Sequence, residues 1–108
     1  MRTDADRAGD ILQAITRIRS RTKTDKAAFM ADEMLQVWVV HHVEIIGEAV
    51  KGLSEPFRAA RPEVQWQLIG SMRDRLVHNY WTVDLELVWE VVAKDLAKLE
   101  EPVTGVGR

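Results

Sequence analysis

Apolar residues recur every three or four positions along most of this 108-residue chain, a spacing that is typical of amphipathic helices. Between Asp10 and Ser20 the charged residues fall outside the apolar stripe, and we expect this first helix to begin near Thr3 or Asp4. The apolar positions of the stripe are Ile11, Leu12, Ala14, Ile15 and Ile18.

A second, longer helix is predicted from a cap at Thr24 or Asp25 to about Lys51, where Gly52 suits the position just after the helix. At roughly 27 residues this helix would be about 40 Å long. Its centre, residues 35–40, is apolar on more than one face, so several of its sides must be covered. In so small a protein, that requirement suggests a second subunit.

Shorter helices are predicted between the prolines and glycines that follow. Pro56 is placed to start a short helical turn, and Pro62 is placed to open a helix over residues 63–71. Gly70 and Ser71 are expected to loosen that helix and to mark a kink or junction.

Asp84 can cap a last helix that runs to Leu99 with apolar residues three or four apart. No segment of the sequence shows the period-two alternation of a half-buried strand. We therefore predict an all-α, up-and-down bundle of four to five helices. Residues 1–99 would form the single domain, and residues 100–108 would form a flexible tail.

Composition narrows the possible functions. The chain is 46% hydrophobic, which argues against intrinsic disorder, and its net charge of −2 gives no reason to expect general coating of nucleic acid. The absence of cysteine excludes disulfides and thiolate zinc sites. The amino terminus has no apolar signal core, and no apolar run approaches about 18–20 residues. We expect a cytoplasmic protein without a membrane segment.

Two polar groups outside the main motif have alternative interpretations. The basic run at residues 17–23 can interact favourably with a helix dipole, or it can form a rim that contacts phosphate. His41, Glu44 and Glu48 share one face of the second helix. They could form half of a metal site, but no second Glu-x-x-His element completes it, so we favour a polar layer or an acidic support to the main site.

The densest group of reactive side chains lies in residues 72–81, which include Arg73, Asp74, His78, Asn79 and Tyr80. Histidine can act as base or acid at neutral pH, and arginine can bind phosphate oxygens as the transition state gains charge. Asp74 could orient the imidazole, and Asn79 could bind a phosphate or a base. These residue types suit metal-independent cleavage of RNA, with no cofactor and no metal.

The alternative interpretation of this motif is a solvated helical face with pairs three and four residues apart. On an ideal helix Arg73 and His78 are about 140° apart, whereas Arg73 and Tyr80 share one stripe. Arg73 and His78 can therefore converge only if the helix is distorted near Gly70, or if two copies meet across a two-fold axis.

Arg73, His78 and Tyr80 form an R-x(4)-H-x-Y pattern that resembles the signature of HEPN-domain toxins of the HepT kind. The similarity covers roughly residues 10–99 and includes several further segments. They are Val43–Ala49, which contains the family's EIIGEA segment, Pro62–Trp66, Ile69–Arg73, Val83–Asp84, Val88–Trp89 and Asp95–Leu96. Asp74 stands where many members have asparagine.

This resemblance implies a small helical ribonuclease that acts as a homodimer. Arg73 and His78 would be the catalytic pair, repeated in each subunit beside an interfacial cleft, and RNA would be the substrate. The expected partner is a minimal nucleotidyltransferase antitoxin (MNT type), which would silence the toxin by transferring adenylate to Tyr80. The added negative charge and bulk would obstruct binding of RNA phosphate.

A non-catalytic alternative remains: a helical subunit that binds a nucleotidyltransferase and helps to position nucleotide or substrate. A helix-turn-helix DNA-binding protein is less favoured, because no candidate recognition helix is strongly basic.

Overall fold

The computed structural model describes residues 2–23, 25–79 and 82–106, and most of them are helical. The helices are α1 (Asp4–Thr22), α2 (Lys26–Met30), α3 (Glu33–Gly52), α4 (Glu55–Ala59), α5 (Trp66–Gly70), α6 (Met72–Leu76), α7 (Leu85–Glu90) and α8 (Leu96–Val103). A π-helical segment (Val91–Asp95) joins α7 to α8, and two short antiparallel strands, β1 (Val77–Asn79) and β2 (Thr82–Val83), lie between α6 and α7. The prediction of an all-α fold is confirmed.

The first helix begins where the sequence predicts. Thr3 accepts a hydrogen bond from the backbone N–H of Asp6, and the Asp6 carboxylate accepts one from the N–H of Thr3, so the two residues form a capping box. All the apolar stripe residues of α1 except Leu12 are buried. This stripe forms one wall of the core.

The single long second helix was a wrong prediction, because the chain breaks at Ala31 and Asp32. Asp25 caps α2, and Asp32 then caps α3 by accepting the backbone N–H of Leu35. The Gln36 side chain donates to two carbonyls at the end of α2, which satisfies groups that helix termination leaves unpaired. Thr24, the other predicted cap, lies outside the described residues.

Gly52 was also predicted in the wrong role. It is the last residue of α3, and the extended Leu53 follows it. A Cβ at Gly52 would lie 2.1–2.2 Å from guanidinium atoms of Arg7 on α1. A larger residue at position 52 would have to displace the Arg7 side chain from the end of α3.

Helices α1 and α3 pack as an antiparallel pair at the centre of the protein. Asp4 at the start of α1 accepts hydrogen bonds from the backbone N–H and the hydroxyl of Ser54, just after α3, and these bonds lower the pKa of Asp4. Helix α8 packs against α1, while α5 and α6 pack against α3. The core between these helices is aliphatic, with Phe29 fully buried within it.

The helix predicted from residue 63 begins instead at Trp66. Residues 61–65 form a turn. The indole N–H of Trp66, just after this turn, donates to the carbonyl oxygens of Arg58 and Arg61, each at 3.1 Å. The predicted junction at Gly70 and Ser71 is present, since Ser71 separates α5 from α6.

The carboxyl-terminal helix extends beyond Leu99. Val103 is fully buried, and the Arg61 guanidinium donates to the carbonyl of Pro102 at 2.7 Å. Packing therefore continues into the segment that was predicted to be a flexible tail.

Two glycines set the distance between α3 and the α5–α6 junction. A Cβ added to Gly47 would lie 3.2 Å from the carbonyl oxygen of Gly70, and a Cβ at Gly70 would lie 3.4 Å from the Lys51 side chain. The backbones meet with almost no space for a side chain between them. This contact places the first turn of α6 beside the outer face of α3.

We predict that Gly47→Val destabilises the protein by roughly 1–3 kcal/mol, because the added methyl groups must displace the Gly70 backbone. Urea unfolding at a fixed protein concentration would measure the change. Gly9→Val on α1 is the matched control, since a Cβ at Gly9 meets nothing within 4 Å. Equal unfolding midpoints for the two variants would contradict the packing argument.

Candidate active site

The motif at residues 72–81 does not lie on one helix. Helix α6 ends at Leu76, and Val77 has extended backbone angles (φ −114°, ψ 109°). The next residues form β1, which pairs with β2 through Val77–Val83 and Asn79–Thr82, and the Asp84 N–H donates to the carbonyl of Leu76 at 2.8 Å. The alternative of a solvated helical face is therefore wrong for this segment.

The change from helix to strand separates the motif residues into two groups. Arg73 and Asp74 lie on α6, whereas His78 and Asn79 lie on β1. The helical stripe proposed for Arg73 and Tyr80 does not hold, because residues 77–79 are extended. The same extended segment removes the helical spacing between Asp74 and His78. Tyr80 and the side chains of His78 and Asn79 lie outside the described part of the chain.

Arg73 extends over the outer face of α3. Its Nε lies 3.7 Å from Oε2 of Glu44, and its Nη1 lies 3.9 Å from Oδ1 of Asp74. The Arg73 side chain remains 45% exposed, so it stays accessible to a ligand. The interpretation of Glu44 as an acidic support to the main site agrees with this contact.

An open groove of about 290 Å³ surrounds the Arg73 side chain. Its lining residues are Glu44, Gly47, Glu48, Lys51, Gly70, Arg73 and Asp74. Three carboxylates and two cations line the groove, and Lys51 lies 3.6 Å from Glu48. A phosphate bound in this groove would therefore need a cation supplied from elsewhere, or displacement of a carboxylate from Arg73.

The predicted polar stripe on α3 is exposed along its length, since His41, Glu44 and Glu48 all face solvent. Among the side chains that the structure describes, which do not include that of His78, no three His, Asp or Glu residues come together in a way that could hold a metal ion. Of these three residues, Glu44 is the one that reaches the motif.

The basic run on α1 divides into two kinds of arginine. Arg19 forms an ion pair with Glu100 of α8, with both carboxylate oxygens at 2.8 Å, so its role is to join two helices. Arg21 instead lines a groove beside α3, and Arg17 lines a smaller one. Among the three arginines of the run, the phosphate-rim interpretation therefore applies to Arg17 and Arg21.

An apolar patch lies on the face of α3 that carries His41, Glu44 and Glu48, toward the amino-terminal end of the helix. Met34 is 79% exposed and Val37 is 62% exposed, which is unusual for large apolar residues on one helix. Trp38 and His41 help to line the groove of about 680 Å³ at this patch. Residues 34, 37, 41, 44 and 48 follow helical spacing, so the patch continues directly to the Arg73 groove.

Comparison with known proteins identifies the family. The model of the HepT-like family, described as ribonuclease HepT-like, matches residues 11–105, which include the whole motif. The chain belongs to this family. The resemblance inferred from the motif and its flanking segments is therefore confirmed.

Individual relatives agree with this assignment. The chain is 35% identical over 100 residues to a protein named "Probable ribonuclease HepT" from Thermococcus cleftensis, covering 92% of this chain and 91% of the relative. It is 41% identical over 75 residues to a protein named as a putative RNase from Caldanaerobacter subterraneus subsp. tengcongensis, covering 69% and 67%.

A longer relative contains a second named activity. The chain is 43% identical over 95 residues to a Methanocaldococcus jannaschii protein named as a gamma-glutamylcyclotransferase and putative RNase. The match covers 86% of this chain but spans only 42% of that relative's length. No solved structure matched the chain. None of the helices in the described ranges is both long enough and apolar enough to cross a membrane.

Proposed function

We propose that this protein is a metal-independent endoribonuclease whose active site lies at the interface of a homodimer. The observation that carries the proposal is the match to the HepT-like ribonuclease family over a region that includes Arg73 and His78. The exposed guanidinium of Arg73 in an open groove supports it, because a substrate phosphate can reach that position.

The chemistry assigns a different role to each residue. His78 acts as base toward the ribose 2′-hydroxyl or as acid toward the departing 5′-oxygen, and Arg73 binds the phosphate as its negative charge increases. Asp74 and Asn79 support the pair. Attack by the 2′-hydroxyl forms a bond to phosphorus as the bond to the 5′-oxygen breaks, which leaves a 2′,3′-cyclic phosphate and a 5′-hydroxyl.

The homodimer is supported by the exposed apolar patch on α3. Burial of Met34 and Val37 against a second copy would remove their side chains from water, and the same face leads to the Arg73 groove. A two-fold axis along this face would bring two Arg73 side chains to one cleft. That arrangement would also place a second guanidinium beside a groove in which carboxylates outnumber cations.

We predict that the purified protein cleaves single-stranded RNA in the presence of EDTA and that both Arg73→Ala and His78→Ala lower the cleavage rate by at least about 100-fold, since each removes a group that acts in the transition state. Gel electrophoresis and mass spectrometry of the product ends would measure rate and mechanism.

Arg75→Ala is a suitable control, because Arg75 lies on the same helix but does not line the Arg73 groove. Cleavage that survives in either active-site variant would refute its assigned role. Products that end in a linear 3′-hydroxyl would reject attack by the 2′-hydroxyl.

We predict that Met34→Asp with Val37→Asp converts the dimer to a monomer and abolishes cleavage, because two carboxylates cannot be buried in an apolar interface. Light scattering coupled to size exclusion would measure the mass. Leu68→Asp is the matched control, since Leu68 is also exposed but lies on α5, away from this patch. A dimer that persists in the double variant would exclude this face as the interface.

We propose further that the protein is the toxin of a toxin–antitoxin pair, with a nucleotidyltransferase antitoxin that adenylates Tyr80. We predict that incubation with that enzyme and ATP adds adenylate to the protein and blocks cleavage, because the adduct adds charge and bulk within the motif. Intact-mass measurement and the RNA assay would follow both effects. Tyr80→Phe should escape modification and remain active under the same conditions, and full inhibition of that variant would place the modification elsewhere.

A second candidate is a non-catalytic subunit that docks the nucleotidyltransferase and positions nucleotide or substrate. The excess of carboxylates over cations in the Arg73 groove favours the docking role over RNA cleavage, because such a groove attracts the phosphates of RNA weakly. Toxicity on expression that disappears in His78→Ala would support the ribonuclease and exclude this alternative.

A further inference from the structure

We infer that Glu44 is a positioning residue for Arg73: its carboxylate fixes the direction of the guanidinium so that the arginine is oriented before the phosphate arrives. This inference rests on the proposed ribonuclease function. It assigns to α3 a residue that lies far from the motif in sequence and acts through Arg73.

The two glutamates that line the groove have different partners. Glu44 lies 3.7 Å from Nε of Arg73, whereas Glu48, one helical turn later, lies 3.6 Å from Lys51 on the same helix. Within the described ranges, Arg73 is the ion-pair partner of Glu44. The charge of Glu48 is therefore balanced by a lysine of the same helix, whereas the charge of Glu44 is paired with the arginine of the motif.

The backbone determines this pairing. Gly47 follows Glu44 by one turn of α3, and Gly70 precedes Arg73 by three residues. Because a Cβ at Gly47 would lie 3.2 Å from the Gly70 carbonyl, the two segments cannot approach more closely or slide freely. The backbone positions of Glu44 and Arg73 are therefore held relative to each other.

The contact between Glu44 and Arg73 orients the guanidinium and adds little to the stability of the protein. Both side chains are about half exposed, 53% for Glu44 and 45% for Arg73, so water screens the pair and its contribution to stability is small. Arginine has a long side chain with many rotamers, and a carboxylate beside Nε limits the directions in which the guanidinium plane can point. Glu44 contacts Nε, the guanidinium nitrogen nearest the main chain, whereas the longer contact with Asp74 is made at Nη1.

Asp74 is a poorer candidate for this role. Its carboxylate reaches Nη1 at 3.9 Å, and its side chain is 73% exposed. It also lies on the same short helix as Arg73, so it moves together with the arginine and cannot fix its direction relative to α3.

The opposite effect is also physically possible. A carboxylate near Arg73 can occupy the place of the substrate phosphate and compete with it. Positioning and competition predict opposite changes when the charge of Glu44 is removed, and the kinetic constants distinguish them.

The test compares Glu44→Gln with Glu90→Gln in the full chain, with a fluorogenic single-stranded RNA and EDTA. Glu90 is an exposed glutamate on α7 that forms an ion pair with Lys94 and does not line the Arg73 groove. We expect Glu44→Gln to lower kcat by about 10- to 100-fold with KM changed by less than about threefold, since misplacement of a catalytic group costs rate. Glu90→Gln should change kcat by less than about twofold. Equal melting temperatures for the two variants would exclude general destabilisation as the cause.

An Arg73→Lys background provides a second control. Lysine keeps the charge but has no planar guanidinium to orient, so Glu44→Gln should cause a much smaller further loss of kcat there. The same loss in both backgrounds would show that Glu44 acts independently of Arg73 and would overturn the inference. A kcat that stays unchanged, or a KM that falls as kcat/KM rises, would overturn it as well.

A spectroscopic measurement separates this inference from the proposed function. In ¹⁵N NMR of the side-chain Nε–H groups, Glu44→Gln should shift the Arg73 resonance and accelerate its hydrogen exchange, while Glu48→Gln should leave both unchanged. If the wild-type protein cleaves no RNA, the proposed function fails, but this measurement still tests whether Glu44 contacts Arg73 in solution. An Arg73 resonance that is unaffected by Glu44→Gln would refute it.

Discussion

The close approach of Gly47 to Gly70 is the constraint on which the rest of the site depends. A side chain at position 47 would press against the α5–α6 junction, because its Cβ would lie only 3.2 Å from the Gly70 carbonyl oxygen. With both glycines present, α6 starts beside the polar face of α3, and Arg73 reaches Glu44. The direction of the proposed catalytic arginine is therefore a consequence of backbone packing.

Local capping chemistry was the part of the fold that the sequence predicted best. Thr3, Asp25 and Asp84 each begin a helix as expected, because an N-cap acts within four residues of its own position. Asp32 also caps a helix. Its place in a long apolar pattern is equally consistent with an exposed polar position in the middle of one continuous helix. The break at α2 depends on Gln36 reaching back to α2, a contact that helical periodicity does not contain.

The candidate site was predictable in its residue types but not in its geometry. The R-x(4)-H-x-Y pattern identified the family, yet periodicity treated residues 72–81 as one helix. The strands that interrupt it are too short for alternation to be visible, and their pairing depends on Val83, which comes after the motif. The sequence predicted that His41, Glu44 and Glu48 could support the main site, but only the tertiary contact distinguishes Glu44 as the partner of Arg73.

The groove of one protomer has more carboxylates than cations, which makes it a poor phosphate site on its own. The proposed two-fold arrangement would bring both Arg73 side chains to one cleft, so that two guanidiniums face the same phosphate. The most direct measurement is a crystal structure of the homodimer. In the proposed dimer, Arg73 and His78 of both protomers line one cleft beside the two-fold axis. An axis that leaves these residues on opposite sides of the dimer would contradict it.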